Sequence, residues 1–135
     1  MASAPTQAGV IPYRFVKGRL RVLLITSRKS KRWIIPKGNI EPDLTARASA
    51  RMEAFEEAGV RGKVGKEALG TYNHIVRPGT KQVTVFLMQV QEQLDEYPEA
   101  TERRRRWMSV QEARTRVLER GLKGLFQNVS FPSSV

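Results

Sequence analysis

Three glutamates, Glu53, Glu56 and Glu57, lie within five residues of each other just before Ala58-Gly59. In a helix, at ~100° per residue, they share one face. Clustered carboxylates repel each other unless a cation is present, and hard divalent ions such as Mg²⁺ prefer carboxylate oxygens. A glycine loop at Gly38 would let backbone approach a phosphate closely. The pattern indicates a divalent-metal site for phosphate chemistry, although a solvated acidic helix face would show the same glutamates.

The element that must position these glutamates is a helix. An alanine-rich run with high helix propensity begins near Asp43 or Thr45, either of which can cap it, and Gly59 ends it. A loop over residues 38–43 precedes it. On the helical wheel, three residues fall opposite the glutamates and are expected to form the buried face: Leu44, Ala48 and Phe55.

Strand-like segments lie on both sides of this helix. They cover residues 7–16, 20–27, 33–35, 60–74, 82–90 and 103–108. Ser109 begins a second helix with Glu112 in a capping box, Gly121 closes it, and residues 122–128 form a last turn or two. This order predicts an α/β sandwich with a mixed sheet. We expect a single domain over residues 1–135, with loose ends at residues 1–6 and 129–135.

The composition favours an anionic partner. The 135 residues include 24 Lys and Arg against 13 Asp and Glu, a formal net charge of +11. Such a charge attracts nucleic acid, acidic lipid or phosphorylated small molecules, although it also serves solubility. No cysteine is present, which excludes disulfides and thiol chemistry. Without an apolar run of ~20 residues or a signal-like N-terminus, we expect a cytoplasmic protein with no membrane partner.

The spacing around the glutamates resembles the signature of the Nudix hydrolases. Residues that match it are Gly38, Glu53, Ala54, Glu56, Glu57, Gly59 and Val60. The run Trp33-Ile34-Ile35-Pro36-Lys37-Gly38 and the arginine cluster ending in Trp107 are similar to the diphosphoinositol polyphosphate phosphohydrolase branch. The resemblance implies a Nudix-type α/β/α sandwich around a mixed sheet and a pyrophosphohydrolase activity.

The resemblance also implies a mechanism in which water attacks phosphorus and a phosphoanhydride bond breaks. Glu56 and Glu57 would be the principal metal ligands, Glu53 a further ligand or the base, and the Gly38 carbonyl a metal contact. Glu53 and Glu57 are thus the implied catalytic residues. Mg²⁺ is the expected cofactor, with Mn²⁺ as the alternative, because the metal would lower the pKa of bound water.

Two signature positions differ in this chain. Leu44 stands where the family has a glutamate, and Met52 stands where it has the arginine that braces the loop against the helix. Losing one partner would leave an unpaired charge in a partly buried place, whereas losing both permits an apolar contact. We hypothesise that Leu44 and Met52 pack together and replace the ionic brace.

Basic residues near the expected site are candidates for substrate binding, since guanidinium groups suit bidentate contacts with phosphate. They are Arg14, Ser27, Arg28, Lys37, Arg103 and Arg105. The resemblance implies substrate contact for four of them, Arg14, Ser27, Arg28 and Arg103. The expected substrate is a highly anionic small molecule such as an inositol pyrophosphate or a dinucleoside polyphosphate. Two alternatives stay open: a weak or inactive Nudix-fold protein that binds polyanions or RNA, and an RNA 5′-end pyrophosphohydrolase. The oligomeric state is open as well.

Overall fold

The computed structural model describes residues 6–133, which contain eight strands and three helices. The strands are β1 (Gln7–Val16), β2 (Arg19–Thr26), β3 (Trp33–Ile34), β4 (Lys37–Asn39), β5 (Val60–Val64), β6 (Gly70–Val76), β7 (Gly79–Gln93) and β8 (Arg105–Met108). The helices are α1 (Ala46–Ala58), α2 (Val110–Arg116) and α3 (Arg120–Asn128). None of these helices has the length and apolar character needed to span a bilayer.

All eight strands join one sheet, whose main path runs β3-β2-β1-β7-β5. In addition, β4 pairs with β1, β6 with β7 and β8 with β2. The β1–β7 pair is parallel and the other pairs are antiparallel, which confirms the predicted mixed sheet. The long β7 carries both β5 and β6 along one edge.

The segment 33–39 fills a gap between two central strands. β1 and β2 pair through residues 13–16 and 19–22. Towards the other end, β4 pairs with β1 and β3 pairs with β2. The predicted loop over residues 38–43 is therefore wrong at its start, because Gly38 pairs with Ala8 and Asn39 with Gln7. The short β4 fixes the backbone of Lys37 and Gly38 in the sheet.

Helices cover both faces of the sheet, as the predicted sandwich requires. On one face, Ala50, Ala54 and Ala58 of α1 pack against Val10 of β1 and Met88 of β7. A second cluster covers the opposite face with residues of α2 and α3: Ala113, Leu122 and Phe126. The functional motif thus lies on the α1 side of the sheet, and its loop reaches the sheet through β4.

Helix α1 begins and ends where its sequence predicts. Thr45 caps it, since the threonine side chain accepts a hydrogen bond from Ala48 N at 3.1 Å. Gly59 ends it at a φ of 65°, a left-handed conformation that favours glycine.

The predicted buried face of α1 is wrong. Its buried residues are Ser49, Ala50, Ala54, Glu57 and Ala58. Leu44 precedes the helix and is 38% exposed, while Ala48 and Phe55 are only partly buried. Small alanines meet the sheet at close range, and Glu57 is buried with them because it has polar partners there.

The C-terminal region is packed more tightly than predicted. Ser109 caps α2 by accepting a hydrogen bond from Glu112 N at 3.0 Å, as the capping box requires. However, α2 ends at Arg116, so Gly121 lies inside α3 and does not close α2.

The predicted loose ends are ordered where the structure describes them. Val129 is buried, and the Phe131 ring lies 5.5 Å from the Tyr13 ring in an edge-to-face contact. Thr6 N donates to Gln82 O, and Thr6 O accepts from Ile40 N. Thr6, Val129 and Phe131 thus contact the rest of the domain, residues 1–5 and 134–135 lie outside the described residues, and the single domain with loose ends stays a prediction.

Candidate active site

Helix α1 brings its glutamates to the backbone of β4. Glu57 is 7% exposed, whereas Glu53 and Glu56 are half-buried. Gly38 is in direct contact with the Glu53 carboxyl group, and a Cβ atom at this position would overlap it. A larger residue at position 38 would therefore displace the flexible end of the Glu53 side chain.

Protein donors hold both oxygens of Glu57. Lys37 N donates to Oε1 at 3.0 Å, so the start of β4 is tied to the end of α1. Arg103 Nη2 donates to Oε2 at 3.4 Å. Two donors from segments far apart in the chain thus orient this carboxylate.

Arg103 is a buried centre of hydrogen bonds. Its side chain is 8% exposed, its Nε donates to Glu99 Oε1 at 2.9 Å, and its Nη1 donates to Thr26 O at 3.1 Å. The sequence predicts that Arg103 contacts substrate, but here its guanidinium faces protein acceptors. Its Nη2 also holds Glu57 Oε2, and its contact with substrate stays a prediction.

Burial raises the pKa of both inner glutamates, Glu53 and Glu57. Burial raises the pKa of Glu57 to about 7, although Arg103 and the Lys37 N–H act in the opposite direction. Burial also raises the pKa of Glu53, followed by repulsion from Glu56. When they are ionised, these carboxylates therefore have too little positive charge around them. A bound divalent cation would supply that charge.

Glu99 is an acidic residue of this cluster that the sequence does not single out. Its backbone N donates to Glu56 O at 3.0 Å, and its charge acts on both Glu53 and Glu57. The signal was weak because residues 91–102 read as a generally acidic loop. Only the fold shows which of these acidic residues reaches α1.

The donor set fits a hard divalent cation by its chemistry, because carboxylates collect around the partly buried backbone of Gly38. As they stand, however, no group of three or more Asp, Glu, His or Cys side chains in residues 6–133 could hold a metal ion. Arg103 explains this in part, since it occupies one oxygen of Glu57. The ligands Glu53, Glu56, Glu57 and the Gly38 carbonyl therefore stay a prediction.

Hydrogen bonds brace the loop that precedes α1. The buried Ser49 side chain accepts a hydrogen bond from Glu41 N at 3.1 Å, and Leu44 N donates to Glu41 O at 3.0 Å. Leu44 is exposed and does not lie on the buried helix face that was expected for it, whereas its apolar contact with Met52 stays a prediction. Ser49, which the sequence analysis did not select, anchors the loop to the helix.

The predicted substrate-binding residues do not all converge. Lys37 and Arg103 meet at Glu57. The other four have partners of their own: the Arg14 guanidinium stacks 4.0 Å from the Trp107 ring, the Ser27 side chain accepts from Arg32 N, Arg28 pairs with Glu102, and Arg105 donates to Ala58 O. Their substrate contacts stay predictions.

Comparison with known proteins identifies the family. Residues 5–128 match the profile of the NUDIX domain. Nudix hydrolase 13 (mitochondrial) of Arabidopsis thaliana is 33% identical, with 78% of this chain and 63% of the relative covered. Human diphosphoinositol polyphosphate phosphohydrolase 3-alpha is 34% identical, with 68% and 56% covered. The chain thus spans less than two thirds of the length of these relatives.

The fold comparison agrees. The structure of a Caenorhabditis elegans Ap4A hydrolase in a binary complex superposes with a TM-score of 0.79 at 20% identity, over 92% of this chain and 93% of the other. A Nudix hydrolase from Nitrosomonas europaea gives 0.70 at 19% identity, over 92% and 86%. The family match spans nearly the whole described region, and on this basis the chain belongs to the Nudix family.

Proposed function

We propose that this protein hydrolyses a phosphoanhydride bond in a small, highly anionic substrate, with Mg²⁺ as the cofactor. The observation that carries the proposal is the contact of Glu53 with Gly38 beside a Glu57 carboxylate fixed by Lys37 N. An inositol pyrophosphate or a dinucleoside polyphosphate suits the formal charge of +11. The names of the human relative and of the nematode hydrolase support these two substrate classes.

The proposed role of each residue follows from its position in the site. Glu56 and Glu57, with the Gly38 carbonyl, would hold the metal, which when bound polarises the phosphate and lowers the pKa of water. Lys37 N and Arg103 keep Glu57 in one orientation. Glu53 takes the proton as the water oxygen bonds to phosphorus. The bridging P–O bond breaks, its electron pair stays on the bridging oxygen of the leaving phosphate group, and the attacked phosphorus departs with the water oxygen.

A second candidate is a Nudix-fold protein that binds polyanions or RNA without hydrolysing them. It is supported by the ion pair between Arg103 and Glu57 and by the lack of an assembled metal-holding group in residues 6–133. In this case Arg103 would neutralise Glu57 permanently, and the basic surface would bind the ligand.

Hydrolysis of a substrate panel separates these candidates. We would incubate the protein with Mg²⁺ and inositol pyrophosphates, dinucleoside polyphosphates or 5′-triphosphorylated RNA, and measure the release of products by chromatography, because a cleaved dinucleoside polyphosphate gives two nucleotides and no inorganic phosphate. Glu57→Gln should slow release by about 100-fold, because it removes a charged ligand and keeps the shape. Glu92→Gln is the matched control, since Glu92 is exposed and pairs with Arg61.

Equal rates for wild type and Glu57→Gln would contradict the proposed role of Glu57. Tight binding of the same substrates without release of products, with Mg²⁺ or Mn²⁺, would favour the binding protein. Release from RNA alone would instead support an RNA 5′-end pyrophosphohydrolase.

A further inference from the structure

The strand pair β1–β2 carries three arginines on the same side of the sheet as α1. Arg14 of β1 pairs with Arg21 of β2, and Val16 pairs with Arg19. Because alternate residues of a strand share a face, Arg14 lies on the face of Val10, which packs in one cluster with α1. Arg21 and Arg19 lie on this face as well, since paired residues point to the same side. We call Arg14, Arg19 and Arg21 the arginine face.

The arginine face lies far along the sheet from the carboxylates of α1. Arg14 is six residues along β1 from Ala8, and Ala8 pairs with Gly38. At a rise of about 3.3 Å per residue, this separation is roughly 20 Å. The arginine face is therefore separate from the contact between Gly38 and Glu53.

The arginine face has no acidic partner in the part of the chain that the structure describes. Residues 1–40 contain nine Lys and Arg and no Asp or Glu. Within residues 6–133, no ion pair involves Arg14, Arg19 or Arg21. Like charges directly opposite each other destabilise a strand pair, and this is the arrangement of Arg14 and Arg21. An anion bound between them would remove the repulsion.

Trp107 orients one of the three guanidinium groups. The guanidinium carbon of Arg14 lies 4.0 Å from the centre of the Trp107 ring, and the ring Nε1 donates to Gln93 Oε1 at 2.8 Å. Arg14 Nε is buried, and it has no hydrogen-bond partner among residues 6–133. A buried donor without an acceptor is costly, and it indicates a ligand that would accept its hydrogen bond. A guanidinium group suits the two oxygens of a phosphate.

We propose that the arginine face binds the phosphate backbone of a single-stranded nucleic acid. Arg19 and Arg21 are alternate residues of β2, so they present charges in a row, as a chain of phosphates requires. Beside them, Arg14 and Trp107 form a stacked pair of planar groups, and such planes suit the bases of an unpaired strand. This site goes beyond the proposed hydrolysis and does not depend on it.

The test is the fluorescence anisotropy of a labelled oligouridylate with a 5′-hydroxyl end, titrated with the full chain in EDTA at several salt concentrations. This probe contains no phosphoanhydride bond. Arg19→Met combined with Arg21→Met should weaken binding by at least about tenfold, since charge-assisted contacts are lost. The slope of log K against log salt should become shallower by about 1.4, because each single-strand phosphate contact contributes about 0.7.

The matched control is Arg51→Met combined with Arg120→Met. It removes the same charge from exposed arginines of α1 and α3, so it should change affinity by less than about threefold and nearly preserve the salt slope. Equal losses in the two double variants would overturn the proposal, because net charge alone would then explain binding. Arg19→Met alone, at an exposed position, serves if the first double variant is unstable.

Arg14→Lys separates geometry from charge. Lysine keeps the charge and removes the fork of donors, so binding should weaken by about fivefold while the salt slope stays the same. Unchanged affinity in this variant would overturn the role of the stacked guanidinium. Wild-type protein that binds phosphatidylserine vesicles and not the oligouridylate would overturn the nucleic-acid partner. Either result would leave the proposed hydrolysis in place, because the probe is not a substrate for it.

Discussion

The two sides of Lys37 differ in which hydrogen-bonding groups are in excess. On the α1 side, Glu53, Glu57 and Glu99 supply carboxylate oxygens, and Arg103 is the cation that compensates them from within the protein. On the opposite side, within residues 6–133, hydrogen-bond donors exceed acceptors at three side chains: Lys37, Lys81 and Tyr72. An excess of acceptors suits a cation and an excess of donors suits a phosphate. The contrast supports the proposal that metal and polyphosphate bind side by side.

Removal of the compensating cation should give the largest effect. Arg103→Met leaves the buried Glu57 with the Lys37 N–H alone and removes the ion pair of the partly buried Glu99, so the free energy of unfolding should fall by about 3–5 kcal/mol. Urea unfolding with and without Mg²⁺ would measure this. Saturating Mg²⁺ should restore more stability to the variant than to wild type, because it replaces the missing charge. A variant as stable as wild type in EDTA would contradict the role of Arg103.

The carboxylates on the α1 side should also make the stability of the metal-free protein depend on pH. Folding raises the pKa of Glu57 from 4.5 to about 7, so the folded state binds its proton more tightly than the unfolded state. The resulting stabilisation is complete below pH 4.5 and is lost as the pH rises through 7. It amounts to on the order of 3 kcal/mol. Denaturant titrations in EDTA should show this slope in wild type and a flatter one in Glu57→Gln; parallel slopes would refute the assignment.

On the donor side, Gln7 should matter most for stability. Gln7→Leu leaves Asn39 and Lys37 without their shared amide, so we expect a loss of about 1–3 kcal/mol. Thermal unfolding would measure it. Gln89→Leu in β7 is a control with the same chemical change at a position with no comparable amide pair. Equal losses in both variants would show that the link through Gln7 is not specific.

The smallest effects concern the loop before α1. Ser49→Ala removes the acceptor of Glu41 N and should cost about 1 kcal/mol. The double variant Leu44→Glu with Met52→Arg should change stability by less, about 0.5 kcal/mol, and turnover by less than about threefold, because Leu44 is exposed. A large gain of turnover in the double variant would show that the brace limits catalysis.

The local sequence pattern predicts where α1 begins and ends better than it predicts which face of α1 is buried. Thr45 and Gly59 mark the ends of α1 because capping is a local interaction. The buried face was wrong because Glu57 is buried through Arg103, a partner 46 residues away. A helical wheel includes only the residues of one helix, so it cannot show the contact of Glu57 with Arg103.

The same limit applies to the site. The glutamates and Gly38 are recognisable from their spacing, and the structure brings Gly38 and Glu53 together. Glu99 and the donor side of Lys37 depend on strand pairing between distant segments, such as Gln7 with Asn39 and His74 with Lys81. A lone histidine in the sequence indicates nothing about Lys81, which the register of two strands places opposite it.

The two sides of Lys37 are expected to perform different tasks, and steady-state kinetics with Mg²⁺ and a polyphosphorylated substrate would separate them. We expect Glu57→Gln to lower kcat by about 100-fold with little change in KM. We expect Lys81→Met to raise KM by about tenfold and largely to preserve kcat. If both variants lowered kcat by similar factors, or if neither changed the kinetics, the division between a metal side and a phosphate side would be wrong.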